Sequence, residues 1–148
     1  MDEIHEFMDL LIQNKIGYTE LTDSEVEAYK NVWFETFVPE EKRERAIDSY
    51  CFDKDGYCGY LWHVFSYELL DCIKGEAARN LFNESVRKDA VLLLNVDDAA
   101  CIINDISSFT AQDFDDLYDI ILTANDYSWT YVKTHEPDCG PYFYRKPL

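Results

Sequence analysis

Apolar residues recur at Ile4, Phe7, Met8 and Leu11, the spacing of one helical face, and Gly17 soon afterwards supplies a stop. A second helix is predicted to begin at Thr22, where Glu25 three residues on completes a capping box. Val26, Tyr29, Trp33 and Phe37 then form one stripe. Pro39 ends that helix and opens another: "PEEKRERAIDSY" has acids in its first turn and Arg43 and Arg45 later, the charge order a helix dipole favours. Past the turn "DKDG" the period changes. "YLWHVF" is aromatic and β-like, and although Leu61, Phe65, Leu69 and Cys72 also keep helical spacing, we read a strand at residues 60–65. "GEAARNLFNESV" returns to the helical period, with Ala78, Leu81 and Phe82 inward.

The pattern then becomes that of a sheet. "AVLLLNV" is a continuous apolar run, as in a strand covered on both sides, and "ACIIND" is expected to pair beside it. Thr110 and Asp113 form a second capping box, opening a short helix through Leu117. "YDIILT", "YSWTYVKTH" and "PYFYRK" follow as strands, with turn residues Asn125-Asp126 and Pro137-Asp138-Cys139-Gly140 between them. Helices come early and strands gather late. The predicted class is therefore α+β, with N-terminal helices packed on a mainly antiparallel sheet formed largely by the C-terminal half.

Composition sharpens this picture. A chain of 148 residues, 47% hydrophobic and 16% aromatic, is long enough for a real core and is read as a single domain over residues 1–148. The formal charge of −17, from 30 acids against 13 bases, repels phosphate backbones and anionic headgroups. Nucleic acid and membrane are thus disfavoured as partners, and a basic protein is favoured. "MDEIHEFMDLL" has acids where a secretory signal needs positive charge, and no apolar run reaches the length of a membrane span, so a cytoplasmic protein is expected. Five cysteines without a C-x-x-C pair fit reduced thiols better than a disulfide framework.

Candidate chemistry is sparse. Between Lys88 and Lys133 there is no Lys or Arg, yet nine aspartates occur there, among them Asp113, Asp115, Asp116 and Asp119. This tract reads either as a docking face for a basic partner or as solvated surface serving solubility. "DFDDLYD" lacks the ligand spacing of a calcium loop, and around Asp53 an EF-hand would have Cys51 as its first ligand and Trp62 as its last. A metal or acid/base site would combine His63 with His135 and Glu136, without the spacing of a known ligand motif. For His63, packing is the favoured reading, because alternation along a strand leaves mostly apolar neighbours on both faces. No metal is expected. No cofactor is expected either, since the five scattered glycines build no phosphate-cradling loop.

"YLWHVFSY" and "WTYVKTHEPDCGPYF" resemble the two most marked motifs of a bacterial domain-of-unknown-function family, number 4275. The matching positions are Trp62 and His63 in the first, then Trp129, Thr130, His135, Glu136, Gly140, Pro141, Tyr142 and Phe143 in the second. The resemblance implies a bacterial origin and an intracellular single domain, and no chemistry. It marks Trp62, His63, Trp129, His135, Glu136 and Tyr142 as candidate site residues. The expected function is a non-catalytic acidic protein-interaction domain, in the manner of an immunity protein. The alternative is a small enzyme or metal-binding protein built on His63, His135 and Glu136.

Overall fold

The computed structural model describes residues 3–46, 52–53, 56–57, 72–85, 88–94, 99–117, 119–134 and 140–145. Helix α1 spans Glu3–Gln13, and strand β1, Tyr18–Glu20, follows at once. Helix α2, Asp23–Phe37, starts where its capping box requires: the Thr22 N–H donates to Glu25 Oε1 at 3.0 Å, and the Glu25 N–H donates back to Thr22 Oγ1 at 3.4 Å. Such a cap is worth about 1 kcal/mol. Helix α3, Glu40–Ala46, begins just after Pro39 as predicted. Strands β2 (Phe52–Asp53) and β3 (Gly56–Tyr57) form a small antiparallel pair, Phe52 opposite Tyr57 and Asp53 opposite Gly56. Strand β4 (Ile73–Lys74) leads into helix α4 (Glu76–Glu84).

The C-terminal half supplies β5 (Ala90–Leu94), β6 (Ala100–Ile103), β7 (Ile120–Ala124), β8 (Trp129–Lys133) and β9 (Tyr142–Arg145). With β1 and β4 at the edges they form a seven-stranded sheet in the order β1-β6-β5-β7-β8-β9-β4, antiparallel at every pairing. The α+β expectation therefore holds. The strand read at residues 60–65 lies outside the described residues. Residues 110–117 depart from expectation: only Ala111–Phe114 coil, as a 3-10 turn, and the Leu117 N–H closes a further turn onto the Phe114 carbonyl. A segment this short does not recover the cost of nucleating an α-helix, and Phe114 and Leu117 are held instead by burial.

Every residue of β5 and of β7 is buried. Alternation sends Leu92, Leu94, Ile120 and Leu122 to one face, where they meet Phe7 and Leu11 of α1, Ala78 and Phe82 of α4, and Phe109 and Phe114. Phe82 is the hub of that side, stacked on Tyr131 at 4.6 Å and edge-on to Trp129 and Phe114. The opposite face, with Val91, Leu93, Ile121 and Val132, is covered by Val26, Trp33, Phe34 and Phe37 of α2. This second core holds a polar pin. The Trp33 indole N–H donates to Thr130 Oγ1 at 3.0 Å, and Thr130 shares a 3.0 Å hydrogen bond with its cross-strand partner Thr123.

Thr130→Val keeps the side-chain shape and leaves the indole N–H without that acceptor. Urea unfolding should show a loss of about 1–3 kcal/mol. In a Trp33→Phe background the same substitution should cost much less, so a cycle without coupling would show the pin to be incidental.

Candidate functional site

Trp62, His63, His135 and Glu136 lie outside the described residues. Trp129 and Tyr142 are both placed, and they are kept apart. Trp129 pairs with Arg145, and Val132 pairs with Tyr142. Directly paired residues share a face and successive residues alternate, so Trp129, Tyr131, Phe143 and Arg145 point to one side, and Thr130, Val132, Tyr142 and Tyr144 to the other. The two rings belong to different cores, each under 5% exposed. Of the six candidate site residues, the two that are described lie on opposite faces of the sheet.

The described residues of the second motif have structural duties. Trp129 stacks on Phe143 at 6.0 Å. Thr130 holds Trp33. Gly140 has φ +94°, and a Cβ there would approach the Tyr142 ring to 3.0 Å, so glycine is required on both counts. The Pro141 carbonyl accepts the Gly75 N–H at 2.9 Å, which ties the start of α4 to the lead-in of β9.

The aspartate tract also changes character. Asp119 is 5% exposed at the start of β7, so it drops out of any solvent-facing docking surface. Asp115 is bonded to the Arg79 guanidinium, which also meets Glu76 at 3.1 Å. Asp113 Oδ2 accepts the Thr110 N–H at 2.8 Å, Asp105 Oδ1 the Ser107 N–H at 2.9 Å, Asp89 Oδ1 the Asp105 N–H at 3.0 Å, and Asp126 Oδ1 the Ser128 N–H at 3.0 Å. Asp113 and Asp116 stay exposed. These carboxylates chiefly cap turns, work that suits a short acidic side chain.

A cleft of about 530 Å³ opens beside the β7–β8 turn. Lys88, Asp89, Asn125, Asp126, Ser128 and Arg145 line it, over an apolar base from Ala124 and Trp129. Its frame is backbone: the Asn125 N–H donates to the Asp89 carbonyl at 3.0 Å, and the Ile106 N–H to the Lys88 carbonyl at 2.9 Å. Tyr127, at φ +59°, makes the tight reversal between Ala124 and Ser128. Arg145 is oriented from behind, its Nη2 donating to Ser85 Oγ at 3.1 Å and its guanidinium 5.7 Å from the Phe143 ring centroid. Ser85 in turn donates to the Leu81 carbonyl at 2.7 Å.

Residues 5–143 match the family model described as Domain of unknown function (DUF4275). The chain belongs to this family. No curated protein and no solved structure matches it. In this DUF4275 chain the β8–β9 register sends Trp129 and Phe143 to one core and Tyr142 to the other. Among the described residues no group of His, Cys, Asp and Glu is arranged to hold a metal ion, and no helix is long and apolar enough to cross a membrane. Neither Cys72 nor Cys101 is in a disulfide; burial, with the Glu20 charge adding, pushes the Cys101 thiol up to about 12. The other cysteines lie outside the described residues.

Sequence reasoning missed two features. Lys30 lies in the buried stripe of α2, 1% exposed and with a partner inside the fold. Its signal was a single base at helical spacing among Val26, Trp33 and Phe37. The cleft was missed because its walls come from three separate segments.

Hydrogen bonds from the Ser128 hydroxyl and backbone hold the Asp126 carboxyl below its ordinary 3.8. A carboxyl with a lowered folded-state pKa contributes stability that is complete above the unfolded value and is lost as pH falls through the folded one. Asp126→Asn keeps the acceptor for the Ser128 N–H but cannot titrate. Its stability should therefore fall less than the parent's between about pH 5 and pH 2, followed by urea midpoints; parallel curves would remove Asp126 from the acid response.

Proposed function

We propose that the domain is a non-catalytic acidic binding module that docks a basic protein on the outer surface of α2 and α3. One observation carries this reading, the sorting of charge over residues 23–44. Asp23, Glu25, Glu27, Glu35, Glu40, Glu41 and Glu44 are all exposed. The bases of the same stretch are drawn inward: Lys30 is buried, Lys42 is half-buried, and Arg43 donates to the Glu35 and Val38 carbonyls at the end of α2. A surface that shows one sign of charge and tucks the other away produces a coherent field, which speeds encounter with a complementary partner. Val32, 44% exposed among these acids, adds an apolar contact. The small size and the net charge of −17 suit an immunity-type inhibitor of a basic protein.

On this reading the docking face lies across the sheet from Asp113, Asp115 and Asp116, because α2 covers the second core and the 3-10 turn the first. The test is kinetic. With a partner purified from the native host, association should slow steeply as salt screens charges beyond about 8 Å at physiological ionic strength. Replacing Glu27, Glu35, Glu40 and Glu44 together by Gln should slow association and flatten the salt slope, whereas Asp113→Asn with Asp116→Asn should change little. The reverse ranking would move docking to the other side of the sheet. Salt-independent association would end the electrostatic reading.

A further inference from the structure

The cleft beside the β7–β8 turn has a charge pattern at odds with the rest of the molecule. In a chain of net charge −17, Lys88 and Arg145 both line it, and among the described residues neither is ion-paired with a carboxylate. Three other bases are engaged elsewhere: Arg79 with Asp115 and Glu76, Arg43 with helix-end carbonyls, and Lys133 with the Leu117 carbonyl at 2.5 Å. Arg145 is held in place by Ser85 and Phe143 with one N–H engaged, which leaves the rest of its fork of donors for a ligand.

Opposite charge lines the same space. Asp89 and Asp126 each engage Oδ1 in a backbone hydrogen bond, and Asp126 also accepts from the Ser128 hydroxyl, an arrangement that fixes both carboxylates beside the cleft, where their remaining lone pairs can accept from a ligand. Asn125 and Ser128 add neutral donors and acceptors, and Ala124 and Trp129 an apolar base. About 530 Å³ lies within the usual range for small-molecule sites. An anchored guanidinium, an exposed lysine and two anchored carboxylates around one small open space match a ligand that carries both signs a few ångströms apart. A simple anion would leave the aspartates repelling it, and a simple cation would meet the lysine and arginine.

We propose that this cleft binds a small zwitterion of the free amino-acid class, its carboxylate held by Lys88 and Arg145 and its ammonium by Asp89 and Asp126. The site is independent of the α2–α3 docking surface. No covalent step is involved.

The full-length chain, labelled with 15N, is titrated with each of the standard L-amino acids, and with acetate and methylammonium as probes of one charge. At least one amino acid should give saturable shifts at the Asn125, Asp126 and Ser128 amides, with a midpoint of about millimolar or tighter, and neither single-charge probe should match it. Lys88→Gln and Asp126→Asn should each weaken that binding about tenfold, as expected for one charge-assisted contact. Lys88→Gln should keep the parent's thermal midpoint, since Lys88 is exposed, and Asp126→Asn should stay folded with a slightly lower midpoint, because the amide oxygen retains the turn acceptor while the stability contributed by the ionised carboxylate is lost. The proposal fails if no amino acid gives a saturable shift at these amides, if acetate alone reproduces the shift and midpoint, or if both variants bind as tightly as the parent.

Discussion

A strand buried on both faces must be covered twice, and β5 and β7, adjacent at the centre of the sheet, are both of that kind. This requirement organises the chain. Helices α1 and α4 with the 106–117 segment close one side, and α2 closes the other. Fully burying one large apolar side chain is worth about 1.5–3 kcal/mol, so the Leu, Ile and Val side chains on the two faces of these strands dominate the stability. The polar groups admitted to the interior are satisfied through local geometry, as with Trp33, Thr130 and Thr123. Tyr127 and Tyr131 are exceptions, with buried hydroxyls that lack a hydrogen-bond partner among the described residues. Burial raises the pKa of both, that of Tyr127 to about 12 with Tyr29 adding, so both remain neutral phenols at ordinary pH.

Covering both faces pushes charge and polarity into the outer sides of the helices and the loops at the strand ends. The aspartates of the base-free stretch follow from this. A chain that reverses often between short buried strands needs acceptors for the N–H groups at its turns, and Asp89, Asp105, Asp113 and Asp126 supply them. Exposed acids also gather on α2 and α3, where Glu25 completes the capping box at Thr22. The cleft arises from the same construction: where β7 turns into β8, the reversal stands beside the start of β5 and the end of β9, and residues remote in sequence converge there.

Much of the fold was legible. The capping box at Thr22 set the start of α2, the run AVLLL announced a two-sided strand, and β7, β8 and β9 fell where turn residues bounded apolar or aromatic stretches. Strands β1 and β4 were not legible, because three and two residues carry no alternation and are recruited to the sheet edges by pairing with β6 and β9. The candidate site was much less legible. Trp129 and Tyr142 are neighbours in motif, but a shift of one residue in register exchanges faces, and no local signal sets that register. The tract of acids did hold a clue: all nine are Asp and none is Glu, the choice of a chain capping turns rather than coating a helix.

The central claim, that stability radiates from the doubly covered strands, is tested most directly by native-state hydrogen exchange resolved by residue. The hydrogen-bonded amides of β5 and β7 should exchange only through global unfolding, with a free energy equal to that from denaturant titration, while the edge strands β1 and β4 open at markedly lower free energy. If β5 and β7 amides exchange by local openings as readily as those of the edges, the two-faced sheet is not what holds the molecule together.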